Sequence, residues 1–135
     1  MNLVVDTSVW SLVLRRPKLD ETDPYVRAFR WHIESGDGLF LIGNILQELL
    51  DGLRSMKQFD RLLAILEPYP LLDLDRHTFV AAARLQSLCR SKGITAGSID
   101  FLIAAGCCQH GFPLLTADSD FARIARHCDL IVLPA

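Results

Sequence analysis

Apolar runs too short for helices alternate along the chain with longer segments whose apolar residues recur at helical spacing. The runs are "LVV" at 3–5, "LFLI" at 39–42, "YPLLDL" at 69–74, "FPLLT" at 112–116 and "LIVL" at 130–133. The first is apolar at every position and rich in β-branched residues, the pattern of a strand covered on both faces in a parallel sheet. Between the runs the spacing predicts helices: one carrying Val9, Trp10, Leu12 and Val13, one over 24–35 ended by the turn "SGDG", and two over 44–53 and 57–67, ended near Pro68. A further helix over 76–91 is capped by Asp75, with Ala81, Leu85 and Leu88 on one face. After the loop "SKGITAG", Ser98 caps a nearly all-apolar helix, "IDFLIAAGCC", and a last helix covers about 118–127. Such alternation predicts one α/β domain, a three-layer α/β/α sandwich with a mostly parallel central sheet.

Length and composition agree with this pattern. The 135 residues, half of them hydrophobic, suit one packed domain rather than two or a disordered chain. Sixteen acids against fourteen Lys and Arg give a formal charge of −2, which by itself does not advertise a nucleic-acid binder. Acids gathered around a metal would be neutralised locally, however, and would leave basic residues to dominate the surroundings. No leader pattern and no membrane-length apolar stretch occurs in the sequence, so a cytoplasmic protein with no membrane partner is expected. Cys89, Cys107, Cys108 and Cys128 lack paired C-x-x-C spacing and read mostly as buried thiols, and His32, His77, His110 and His127 lack ligand spacing. Neither zinc nor a disulfide framework is expected.

The acids carry the candidate chemistry. Asp6 ends the first apolar run, Asp100 falls in the first turn of the apolar helix, and Asp118 and Asp120 follow the fourth run in "LLTADSDF". Ligands of open α/β sheets gather beyond the carboxyl ends of the strands, where these residues belong. Glu48 lies beside the apolar stripe of Ile45, Leu46, Leu49, Leu50 and Leu53 and can face the same crevice. Each acid also has a plainer reading: Asp6 and Asp118 as helix caps, Asp100 and Asp120 as complements to helix dipoles, Glu48 as part of a solvated face with Gln47 and Asp51. Convergence of four carboxylates would require a positive centre. All the candidate ligands are oxygen donors, with the hydroxyls of Thr7, Ser8 and Thr116 beside them, a set suited to Mg²⁺ or Mn²⁺.

Four segments, "VVDTSVWSLVLR" at the start, "QE" at 47–48, "GSIDFLIAA" at 97–105 and "HGFPLLTADSDF" at 110–121, together resemble a PIN domain, in particular the VapC-type toxins of prokaryotic toxin–antitoxin pairs. The resemblance covers nearly the whole chain and is least diagnostic over 18–40. It implies a metal-dependent endoribonuclease whose acidic quartet is Asp6, Glu48, Asp100 and Asp118, with Asp120 an ambiguous fifth acid. By the same resemblance Thr7, Ser8, Ser98 and Thr116 are supporting hydroxyls, either Asp118 or Asp120 can supply metal or water contacts, and the products carry 5′-phosphate and 3′-hydroxyl ends; Asp6 and Asp100 would hold one Mg²⁺ or Mn²⁺, with room for a second ion near Asp118.

RNA contacts are expected from the basic groups Arg15, Arg16 and Lys18, and Arg54, Lys57 and Arg61, although exposed charge is their plainer role. A VapB-type antitoxin and homodimerisation are also implied by the resemblance; whichever of Trp10, Phe29, Trp31 and Phe59 are exposed are candidate contacts, although core packing is the plainer role for most of them. A receiver-type phosphoacceptor domain fits poorly because Lys18, Lys57 and Lys92 do not supply its lysine. A haloacid-dehalogenase-like phosphatase fits poorly because Ser8, not an acid, stands two positions after Asp6. The remaining alternative is a catalytically inactive PIN-like interaction module.

Overall fold

The chain's structure is a computed structural model that describes residues 1–14 and 18–135. Strand β1 (Asn2–Val5) lies between β2 (Gly38–Phe40) and β3 (Leu114–Leu115), parallel to both. Leu3 pairs with Leu39, and Val5 with Leu115. Leu3, Val4 and Val5 are fully buried, as an uninterrupted apolar strand requires when both sheet faces are covered.

Two of the five expected strands shrink to single parallel bridges, Leu41 with Leu71 and Leu114 with Val132. Both lie outside the central strands, and each carries a side chain that is substantially exposed, Leu71 and Ile131 respectively. Pro70, which has no N–H to donate, enters the first bridge through its carbonyl, accepting from the Leu41 N–H at 2.9 Å.

The helices are α1 (Thr7–Val13), α2 (Pro24–Glu34), α3 (Gly43–Asp51), α4 (Met56–Leu66), α5 (Arg76–Ser91), α6 (Ser98–His110) and α7 (Asp120–Ile124), the last continued by a 3-10 turn over Ala125–His127. Helix α1 packs on α2 and α3, and α3 on α4; α5 runs along α6, which also meets α7. The result is the α/β architecture expected from the alternation of runs.

Two local expectations are corrected. The buried stripe of α5 is Thr78, Ala82, Leu85 and Cys89, while Ala81 and Leu88 face outward. A threonine can sit in that stripe because its hydroxyl is satisfied by Asp75 and by Gln109 on α6. The cap position of α6 is Gly97, not Ser98, which becomes the first helical residue. The aromatic residues divide between the two roles weighed for them. Trp10 is 1% exposed and meets Phe29 and Tyr69 edge-on at 5.1 Å, so Trp10 belongs to the interior and the half-buried Phe29 packs against it. Phe59 is half-buried, and Trp31 alone of the four is well exposed.

Helix α6 is the most enclosed of the helices, with Phe101 to Cys107 buried without interruption. Gly106 allows its close approach: a Cβ there would lie 3.0 Å from Leu74 Cδ2 and 3.5 Å from Ile42 Cδ1. Gly111 ends the helix at φ +69°, a conformation that glycine adopts without steric cost. The first turn of α6 brings Asp100 near Asp118, which follows β3, and near Asp6, which follows β1.

Candidate active site

Asp6 occupies the N-cap position of α1 yet makes no side-chain cap hydrogen bond. Its Oδ2 instead accepts from the hydroxyls of Ser8 and Thr116, each at 2.8 Å. Ser8 Oγ in turn accepts from the Ala117 N–H at 2.9 Å, and Thr116 Oγ1 from the Asp118 N–H at 3.0 Å. Each hydroxyl has one proton, and both protons point at Asp6. The 3.2 Å approach of the two hydroxyl oxygens is therefore a contact within the knot rather than a further hydrogen bond.

This buried knot ties the end of β1 to the segment after β3 and sets the direction in which the next residues leave the sheet. Replacing Thr116 with Val keeps the shape and removes a donor to Asp6 and an acceptor for the Asp118 N–H. Thr116→Val is expected to cost about 1–3 kcal/mol of stability, read as a lower urea midpoint at unchanged slope. A midpoint equal to wild type would show that the knot contributes nothing.

Beyond the knot, Asp100, Asp118 and Asp120 each bring a carboxylate oxygen to within 4.8 Å of the others. Asp100 is placed by the first turn of α6, where its Oδ2 accepts from the Gly97 N–H at 3.2 Å. Asp118 is placed by the turn after β3, and its Oδ1 accepts from the Asp120 N–H at 2.9 Å. Asp120 opens α7 and is paired with Arg123 one turn later. The plainer roles considered for Asp100 and Asp118 are thus present in part. These hydrogen bonds use one oxygen of each carboxylate.

At this spacing, with an effective dielectric of about 20, an ionised pair repels by on the order of 3 kcal/mol. Burial of Asp100, and then the charges of Asp118, Asp6 and Asp120, hold its carboxyl above the usual aspartate range against the opposing Gly97 hydrogen bond. The half-buried, all-oxygen donor set fits a hard divalent cation such as Mg²⁺ or Mn²⁺, which would relieve that repulsion.

The cluster differs in membership from the quartet expected from the sequence. Asp6 is outside the trio, although near enough for its charge to act on Asp100. Glu48 is exposed on α3 and held from across the helix pair by the Thr7 hydroxyl, which donates to its Oε2 at 3.1 Å. Asp120, the ambiguous fifth acid, is in the trio. Thr7, Ser8 and Thr116 all support a carboxylate, whereas Ser98 is exposed at the start of α6 and Asp100 bonds the cap residue in its place.

Arg54 and Lys57 are exposed on the α3–α4 connection and the first turn of α4, and Arg15 and Arg16 lie outside the described residues. Sequence reasoning did not single out Arg123, whose signal was its position three residues after Asp120, a spacing that allows an ion pair on a helix. It also missed an apolar cleft between α1, α3 and α4, lined by Leu14, Leu49, Leu53, Leu62 and Ile65 with Arg61 at its side.

The fold and its acidic cluster define an α/β protein with three carboxylates gathered near the carboxyl ends of parallel strands. The PIN domain family model matches residues 3–127, and the chain belongs to that family. No curated protein shows significant sequence similarity to it. Among solved structures it is similar to a chain of VapBC2 from Rickettsia felis, a complex bound to a DNA fragment from their promoter (TM-score 0.77, 20% identity, 98% of each chain covered). It is also similar to a chain of VapBC-1 from nontypeable Haemophilus influenzae (TM-score 0.78, 18% identity, covering 98% of this chain and 97% of that one). A chain of FitAcB from Neisseria gonorrhoeae has TM-score 0.74 at 24% identity, with 99% of this chain and 97% of that chain covered.

Proposed function

We propose that the protein is a divalent-metal-dependent endoribonuclease and the toxin of a VapBC-type toxin–antitoxin pair. The observation that carries this reading is the meeting of Asp100, Asp118 and Asp120, residues from two separate parts of the chain, at one sheet edge. Membership of the PIN family, whose domains are in general nucleases, supports it.

In this reading the trio holds Mg²⁺ or Mn²⁺. When bound, the cation neutralises phosphate charge and lowers the pKa of water, which is why no histidine is needed. Asp6, held by Ser8 and Thr116, keeps the ends of β1 and β3 in register beneath the trio and adds negative charge to the site. Glu48, oriented by Thr7, is the exposed carboxylate able to accept a proton from an attacking water. Phosphodiester hydrolysis leaving 5′-phosphate and 3′-hydroxyl ends is the outcome the family pattern implies. Arg54 and Lys57 are the described basic residues proposed to contact RNA, an interaction that should weaken as salt rises.

The solved complexes with similar chains support a VapB-type antitoxin as partner. The cleft between α1, α3 and α4 is the proposed seat for its apolar side chains, with Arg61 available to an acidic residue at the rim. Homodimerisation and a cytoplasmic location complete the proposal. Among the described residues, no helix is long and apolar enough to cross a membrane.

The test is RNA cleavage by the purified chain over a titration of Mg²⁺ and Mn²⁺. Cleavage that rises with the ion and is abolished by EDTA is expected. Cleavage unaffected by EDTA would overturn the metal assignment. Absence of cleavage at every ion concentration, together with intact antitoxin binding, would make the chain an interaction module instead.

A further inference from the structure

The aspartates at this end of the sheet are satisfied in two different ways. Among the described residues, Asp6, Asp100 and Asp118 accept hydrogen bonds from hydroxyls and backbone N–H groups. Asp120 is paired with a cation instead: the Arg123 guanidinium donates through Nη2 to its Oδ1. Asp120 is also the member of the trio with an oxygen within 4.8 Å of oxygens of both Asp100 and Asp118. One carboxylate thus belongs to an ion pair and to the acidic cluster at once.

The pair is built within one short helix. Phe121 and Ile124 of α7 are buried and anchor it, so Asp120 and Arg123, three positions apart, lie together on the side away from the core. Arg123 is half-exposed and can leave Asp120 for water without disturbing that anchorage. An exposed pair of this kind contributes little to stability, so its exchange costs the fold little.

The guanidinium brings one positive charge to a group of mutually repelling carboxylates. A divalent cation seated among them would bring two, and would itself be repelled by a guanidinium left in place. We infer that Arg123 is a positioning residue acting through Asp120: it is the built-in counter-charge of the trio in the metal-free chain, and a divalent cation binds by displacing it. Arg123 therefore sets the metal affinity of the site. The inference rests on the reading of the trio as a divalent-cation site. Arg126, in the 3-10 turn that follows, supplies a comparison, since it has no carboxylate partner among the described residues.

The test measures Mn²⁺ binding to the purified chain from the free-ion EPR signal at low ionic strength. Arg123→Gln is expected to bind Mn²⁺ about three- to fivefold more tightly than wild type, and Arg123→Lys and Arg126→Gln to stay within about twofold of it. Added KCl should narrow the gap. In an Asp120→Asn background, where the ion pair is gone, the Gln substitution should change the affinity by less than about twofold. Thermal melts in EDTA give a readout without the ion: Arg123→Gln should melt below wild type, and saturating Mn²⁺ should close the difference. An affinity equal to or weaker than wild type in Arg123→Gln, an equal gain in Arg126→Gln, or a gain that persists in Asp120→Asn would each overturn the inference and leave the metal site standing. Mn²⁺ bound by none of these chains would overturn the metal reading, and this inference with it.

Discussion

Asp100→Asn is expected to lower RNA cleavage by about a hundredfold or more while making the metal-free protein more stable. Both effects have one origin. The amide keeps the size of the carboxylate and removes its charge, so a cation held there as proposed would lose a ligand charge, and Asp118 and Asp120 lose a repulsive neighbour. A hundredfold loss corresponds to about 2.7 kcal/mol of transition-state stabilisation.

The sign of the stability change follows from the raised folded-state pKa of Asp100. Its contribution to stability is fully present below the pKa of the unfolded chain and is lost as pH rises through the higher folded value. At neutral pH the ionised group therefore opposes folding, and asparagine removes that opposition. Thermal melts in EDTA should place the variant a few degrees above wild type at pH 7, with the difference vanishing at low pH. Addition of Mg²⁺ or Mn²⁺ should raise the wild-type midpoint and leave the variant nearly unmoved. A variant that cleaves RNA at the wild-type rate would remove Asp100 from the catalytic machinery. A metal-free melt below wild type would show that the Gly97 hydrogen bond outweighs the repulsion.

Trp10→Ala should cost about 4 kcal/mol of folding stability, the range for truncating a fully enclosed aromatic side chain. Trp10 fills the space between Phe29 and Tyr69, and its loss would leave a cavity under the helix that carries Thr7 and Ser8. Its indole Nε1 has no hydrogen-bond partner among the described residues, so Trp10→Phe loses volume but none of the described hydrogen bonds and should cost about 1–2 kcal/mol. Urea unfolding of the two variants separates these terms. A near-neutral Trp10→Ala would mean that the residue packs against a partner rather than the core.

Much of the fold was legible because the relevant physics is local. The apolar runs and helical stripes gave the order of elements, and Asp75 and Pro68 marked boundaries that the helices respect to within a residue or two. The outer strands were less legible. Their apolar pattern is present at 69–74 and 130–133, but with a proline in one and a solvent-facing side in both, pairing is reduced to single bridges. The α5 stripe moved toward Thr78 and Cys89 because Gln109, distant in sequence, satisfies the threonine hydroxyl. Helical spacing alone contains no such information.

The sequence by itself determined which side chains of this protein could carry chemistry: carboxylates following apolar strands, with hydroxyls beside them and no histidine or cysteine set at ligand spacing. Tertiary structure alone decided their division of labour. Asp6 is drawn into a knot with Ser8 and Thr116 because the ends of two adjacent strands bring those hydroxyls together, and Glu48 is drawn to Thr7 where α1 meets α3. Asp120 joins Asp100 and Asp118 because the turn after β3 leads directly into α7. Spacing along a chain fixes neighbours on one element; distances between carboxylates on different elements are set by how those elements pack.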